Sequence, residues 1–186
     1  MRIGIFGGSF DPVHKGHVKI ALKAYKKLSL DTIYFVPARQ NPLKHKKPVS
    51  PFHRMAMLAL ALKKYSFFKI SDFELLSDEK NYSVYTLEHF KKSFPEANLF
   101  FIVGADNIKD FDKWYNFNKV LELANLVIFG RRHSNIPASC KHIYIEANLP
   151  YSSTEIRCEI SKRKRDLSRF LHTDVENYIK KHRLYI

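Results

Sequence analysis

The chain lacks several features that would each point to a particular chemistry. Its two cysteines, Cys140 and Cys158, are too few for a disulfide framework and do not have the paired spacing of a zinc site. No apolar run approaches membrane-spanning length, and the opening residues show no secretory apolar core. A reduced, cytoplasmic protein without a membrane partner is therefore expected. No internal repeat or low-complexity tract is visible. Acidic residues are outnumbered 18 to 32 by lysine and arginine, leaving a net charge of +14. Such a balance suits polyanionic partners, either nucleic acid or nucleotides. The two commonest phosphate-binding motifs are missing: there is no G-x-x-x-x-G-K-[ST], and no G-x-G-x-x-G follows a strand. What is present excludes disorder, because 45% of the 186 residues are hydrophobic and can build a sizeable core.

The most informative stretch is the first, MRIGIFGGSFDPVHKGH. Residues 2–6 form a short apolar run that reads as a buried strand. Gly7 and Gly8 end it, and Ser9, Asp11 and Pro12 are turn formers. From Lys15 onward Val18, Ala21, Leu22 and Tyr25 recur at helical spacing. His14 and His17 thus fall where a strand's carboxyl end meets a helix's first turn, three residues apart and on one helical face. Ligands of α/β sheets gather at such strand ends, and a helix N-terminus attracts anions. Two imidazoles at that point describe a phosphate site.

Further strands are predicted over residues 32–36, 67–70, 98–103, 126–129 and 142–145, the run over 98–103 being nearly all apolar as a central parallel strand should be. Ser50 reads as an N-cap with Pro51 at the first helical position, ahead of a stripe of Met55, Leu58, Leu62 and Tyr65. Residues 72–80 read as irregular. Ser83 reads as the N-cap of a helix running to about Ser93. Gly104 and Asp106 follow the strand over 98–103; glycine lets a ligand approach the backbone, and Asp106 suits either ribose hydroxyls or a helix cap. Ser152 and Glu155 have capping-box spacing, as do Thr173 and Glu176. Ser153, Thr154 and Arg157 would add hydroxyls and a guanidinium at the first of those helix starts, suited to triphosphate oxygens. Strands alternating with helices predict a doubly wound α/β fold, a mostly parallel sheet with helices on both faces.

GGSFDPVHKGH resembles the first signature of the nucleotidyltransferases that share a His-x-Gly-His motif, and PYSSTEIR resembles their second. The order and length of what lies between is most similar to the bacterial nicotinate-nucleotide adenylyltransferases, over essentially the whole chain. The resemblance implies a Rossmann-like nucleotidyltransferase domain over residues 1–186, with a small C-terminal helical part from about 152. It implies transfer of the adenylyl group of ATP to nicotinate mononucleotide, giving deamido-NAD and pyrophosphate, with Mg²⁺ accompanying ATP. His14 and His17 would be catalytic. Gly8, Ser9, Phe10, Lys15, Gly104, Asp106, Ser153, Thr154 and Arg157 would bind ATP. Lys44, Ser83, Val84, Trp114 and Tyr115 would hold nicotinate mononucleotide, the carboxylate on backbone amides of the helix start and the pyridine on the Trp114 ring. Leu43 stands where the resembled loop carries a histidine, leaving the grip on the acceptor's phosphate open. Transfer to nicotinamide mononucleotide or phosphopantetheine remains an alternative. A basic nucleic-acid-binding protein is a remote one, since no such module is visible.

Overall fold

The computed structural model of the chain describes residues 1–39, 48–76, 82–105, 108, 114–130, 141–147, 152–162 and 166–186. In chain order its elements are β1 Arg2–Gly8, α1 Lys15–Lys27, β2 Thr32–Pro37, α2 Pro51–Leu62, β3 Phe68–Ile70, α3 Phe73–Leu76, α4 Ser83–Ser93, β4 Asn98–Gly104, α5 Phe117–Leu123, β5 Asn125–Gly130, β6 His142–Glu146, α6 Ser153–Ser161 and α7 Thr173–Lys181.

The six strands form one sheet in the order β3-β2-β1-β4-β5-β6. Every pairing is parallel, where a mostly parallel sheet was expected. The chain winds outward from β1 to β3, crosses back to β4 beside β1, and winds outward again. The crevice between the carboxyl ends of β1 and β4 is therefore the switch point where doubly wound sheets bind ligands.

The central strands are apolar on both faces because both are covered. Ile3 and Ile5 of β1 join Leu99, Phe101 and Val103 of β4 in one core, against Val84, Leu87 and Phe90 of α4 and Val120 of α5. Phe6, Phe100 and Ile102 point the other way, into a core filled by Val18 and Ile20 of α1, Met57 and Leu58 of α2, Ile156 of α6 and Val175 of α7. Strand alternation thus assigns the helices to two layers. A Cβ on Gly4 would sit 2.9 Å from both Ile33 Cγ1 and Leu30 Cδ1, so a larger residue here in β1 would force those side chains to shift.

Several local expectations are corrected. Residues 73–76 are not irregular: Asp72 O accepts from both Leu75 N and Leu76 N, closing the single turn of α3. The helix beginning at Ser83 is capped one residue earlier, by Tyr82, with no side-chain bond. Likewise His172, not Thr173, is the N-cap of α7; Glu176 turns inward, where it accepts from Leu167 N and Lys180 Nζ. α5 was not foreseen, because its N-cap is Asn116 in a left-handed conformation (φ 52°) with no side-chain bond to signal a start. The capping of α2 by Ser50 and of α6 by Ser152 is as expected.

Candidate active site

β1 delivers Gly8 to a tight turn, Ser9 to Val13. Phe10 adopts a left-handed backbone (φ 46°) that is uncommon for a side chain of its size. This folds its ring back beneath the strand end, where it is 1% exposed and lies edge-on to Phe6 at 5.5 Å and to His17 at 5.0 Å. A Cβ at Gly8 would come within 3.1 Å of that ring, so Gly8 makes room for the fold-back. Phe10 thus supports the turn from inside.

His14 is the N-cap of α1 and His17 lies one turn on. Their rings stack with centroids 3.7 Å apart. His14 is 4% exposed, and burial pushes its pKa down to about 4, so it is neutral at pH 7. Its backbone N–H donates to His17 Nδ1 at 3.2 Å. A nitrogen that accepts has no proton, so neutral His17 carries its proton on Nε2 as a donor. The expected pair on one face is present, and the backbone sets its tautomer.

Lys15 N donates to Phe170 O at 2.9 Å, and Lys15 Nζ donates to Ser168 O at 2.6 Å. The expected phosphate-binding lysine is thus engaged by the segment before α7, which also takes up one amide of the α1 N-terminus.

The start of α6 is bonded to the same turn. Ser153 Oγ donates to Pro12 O at 3.0 Å. Arg157 Nη1 donates to Asp11 O at 2.6 Å, and Nη2 to Thr154 Oγ1 at 3.2 Å. The two sequence signatures, some 140 residues apart, meet through the Ser153 and Arg157 side chains, which bond to backbone carbonyls of the turn. Gly104 ends β4 on the same edge of the sheet; Phe6 pairs with Ile102, two residues before it.

A second group gathers at the start of α4. Val84 is buried in the core that contains Val36 and Val103, at the carboxyl ends of β2 and β4, and Ser83 precedes it. Trp114 packs on that core, its ring 6.3 Å from that of Phe101. Tyr115, 51% exposed, stacks on Tyr82 at 4.6 Å. The expected Ser83, Val84, Trp114 and Tyr115 are therefore brought together. Lys44 and Asp106, with Leu43, lie outside the described residues.

Three buried polar groups escaped the sequence reading. Arg54 is fully buried. It donates to Val49 O, Ser9 O, Ala38 O and Arg39 O, stapling the exits of β1 and β2 to the start of α2. Burial lowers its pKa and the Asp11 charge opposes this; a guanidinium stays charged regardless. Its signal was available: Arg54 shares a helical face with Met57, Leu58 and Ala61, the side actually buried, while Met55 is only half-buried. Asp11 is the second. Its carboxylate accepts from Tyr185 Oη at 2.8 Å and Val49 N at 3.3 Å, and lies 3.7 Å from Arg157 Nη1. Glu74 is the third. It accepts from Thr86 Oγ1 at 2.6 Å beneath the α4 start, and burial, partly offset by that bond, raises its pKa to about 6. Asp11 reads only as a turn former within the first signature, and no sequence pattern marks Glu74.

Among the described residues no three His, Cys, Asp or Glu side chains converge to hold a metal ion, and no helix is long and apolar enough to cross a membrane.

Residues 5–159 match the model of the cytidylyltransferase-like family. A probable nicotinate-nucleotide adenylyltransferase of Clostridium tetani (strain Massachusetts / E88) is 38% identical over 195 residues, covering 97% of each chain. One of the same description from Clostridium botulinum (strain Alaska E43 / Type E3) is 39% identical, covering 99% of this chain and 98% of its own. A solved structure, the Plasmodium falciparum nicotinic acid mononucleotide adenylyltransferase complexed with NaAD, superposes with a TM-score of 0.80 at 27% identity, covering 99% of this chain and 97% of that one.

Proposed function

The chain belongs to the cytidylyltransferase-like family, and we propose that its site transfers the adenylyl group of ATP to nicotinate mononucleotide in NAD biosynthesis, releasing pyrophosphate. The observation that carries this is the meeting of His14, His17 and the α6 start at the carboxyl end of β1, beside β4. A phosphate-sized anion there faces a neutral imidazole donor, helix-start amides and the Arg157 guanidinium. The names of the full-length relatives supply the acceptor.

The acceptor's phosphate is ionised at neutral pH. It attacks the α-phosphorus; the new P–O bond forms as the bond to the bridging α–β oxygen breaks, and the electron pair leaves with pyrophosphate. No side chain need remove a proton or form a covalent bond. Catalysis is then alignment and charge stabilisation. His17 donates from Nε2 to an α-phosphate oxygen, and the stacked, neutral His14 neighbours it. Ser153, Thr154 and Arg157 meet the β and γ phosphates; Gly8, Ser9 and the Phe10 backbone line the turn; Gly104 and Asp106 face the ribose. Lys15 reaches the phosphates by exchanging its bond to Ser168 O. Nicotinate mononucleotide sits between Lys44 and the α4 start, its carboxylate on the Ser83 and Val84 amides, its ring on Trp114 and its edge at Tyr115. Mg²⁺ accompanying ATP would supply screening of the triphosphate charge. The whole of residues 1–186 acts as one domain with 152–186 as its helical C-terminal part, and the free, exposed Cys158 suits a reducing cytoplasm.

The test is pyrophosphate release from Mg·ATP with nicotinate mononucleotide, nicotinamide mononucleotide and phosphopantetheine in parallel. The expected result is strong preference for the nicotinate form. Preference for either other acceptor would overturn the assignment of Ser83, Val84, Trp114 and Tyr115. Binding of duplex DNA with a steep salt slope and no release would overturn the reaction altogether.

A further inference from the structure

The C-terminal end of the chain packs against the catalytic turn without belonging to the ligand-binding set. Tyr185, the penultimate residue, adopts a left-handed backbone (φ 67°), two residues after Arg183 does the same (φ 50°). A non-glycine residue holds such a conformation only where its surroundings fix it. Leu184 between them is buried, and its N–H donates to Ile179 O at 3.1 Å. The chain thereby turns back after α7, and the Tyr185 ring packs on the core beneath α1 and α2. Its hydroxyl donates to Asp11 Oδ1 at 2.8 Å. Burial and the Asp11 charge hold the phenol well above its ordinary range, so it remains a donor at every physiological pH.

Asp11 is 7% exposed, and a buried carboxylate needs its donors. Oδ1 also accepts from Val49 N, the residue before the α2 N-cap, and Oδ2 lies near Arg157, which bonds Asp11 O as well. One carboxylate therefore ties together the β1–α1 turn, the approach to α2 and the start of α6. Tyr185 is the single side-chain hydroxyl bonded to it among the described residues.

Building on the proposed adenylyl transfer, we propose that Tyr185 is a positioning residue: through Asp11 its hydroxyl sets the β1–α1 turn and Arg157 in the register that the transition state requires. Substrate binding by the α4 start does not depend on it. The effect thus falls on kcat and not on KM for the acceptor.

The test compares Tyr185→Phe, which keeps the ring and removes the donor, with the unaltered chain. Two readouts are taken well below both melting temperatures. The first is amide exchange at Val49 and across residues 9–15, expected to accelerate while the β1 and β4 amides stay protected. The second is steady-state pyrophosphate release, expected to fall about tenfold or more in kcat with KM for nicotinate mononucleotide within about twofold. Unchanged exchange at Val49 and the turn would overturn the proposal, as would faster exchange with normal kcat, which would make the bond purely structural. If the unaltered chain turns over none of the acceptors, the proposed reaction has failed, and the exchange readout still decides whether Tyr185 sets the turn.

Discussion

The two halves of the crevice are held by different physics. On the ATP side, segments far apart in sequence are joined by directional hydrogen bonds: from side chain to backbone for Arg54 to four carbonyls, Arg157 and Ser153 to the Asp11–Pro12 turn and Lys15 to Ser168, and from side chain to side chain for Tyr185 to the Asp11 carboxylate. On the acceptor side the described contacts are ring on ring, Tyr115 on Tyr82 and Trp114 on Phe101, with one buried carboxyl, Glu74, bonded to Thr86. Directional bonds fix where a reacting phosphorus must sit. Ring stacks and backbone amides fix a flat shape and tolerate small displacements. A transferase that must align an in-line displacement, yet only recognise its acceptor, is expected to divide its contacts this way.

The sharpest break in that division is His17→Ala. Loss of an electrostatic donor raises such barriers by roughly 3 to 4 kcal/mol, so kcat should fall on the order of a hundredfold or more while acceptor affinity holds. Turnover and calorimetric binding of nicotinate mononucleotide check both parts, with circular dichroism confirming the fold. Next in size is Arg54→Met, which leaves four part-buried carbonyls short of a donor and the Asp11 carboxylate short of a nearby positive charge. It should cost about 3 kcal/mol or more of unfolding free energy, read from the urea midpoint.

The two halves also predict opposite responses to pH. His14 titrates near 6.5 unfolded and about 4 folded, so its contribution is complete above 6.5 and is lost as pH falls toward 4, amounting to about 3 kcal/mol. Glu74 goes the other way, from 4.5 to about 6. Its contribution is complete below 4.5 and is lost as pH rises through 6, about 2 kcal/mol. Between pH 4.5 and 6 the two oppose. Urea melts of His14→Asn and Glu74→Gln across pH 4 to 7.5 should separate them: the first loses the acid-side decline, the second loses the decline between 4.5 and 6. Matching profiles for both variants would contradict the assignment. The smallest effect is expected of Tyr115→Ala, where loss of the stack on Tyr82 is worth about 1 kcal/mol. It should raise KM for the acceptor several-fold and leave kcat near its original value.

Much of the fold was legible because it rests on local signals. The apolar runs of β1, β2, β4 and β5 announce buried strands, and Ser50-Pro51 and Ser152 announce helix starts through hydrogen bonds spanning three residues. The phosphate site was legible for the same reason: strand end, glycines and His14-Lys15-Gly16-His17 are contiguous. What stayed hidden depends on partners far along the chain. Nothing around Arg54 shows that its four acceptors are carbonyls at residues 9, 38, 39 and 49, and nothing around Asp11 points to residue 185, 174 positions away. The Ser83 and Thr173 caps failed because a capping pattern fixes a helix start only to within a residue, and packing chose Tyr82 and His172. Lys15 was read as an ATP-binding residue; the carbonyls of Ser168 and Phe170 that engage it here come from a segment with no motif of its own.

The account rests on direct displacement at the α-phosphorus, with two histidines that align and stabilise but do not attack. An imidazole at this point is also chemically able to be a nucleophile, and incubation with Mg·ATP labelled at the α-phosphate separates the two. The account predicts no labelled protein when acceptor is absent, and label appearing only in the dinucleotide, mole for mole with pyrophosphate, once nicotinate mononucleotide is added. Label on His14 or His17 before acceptor is added, followed by its discharge to the acceptor, would contradict it.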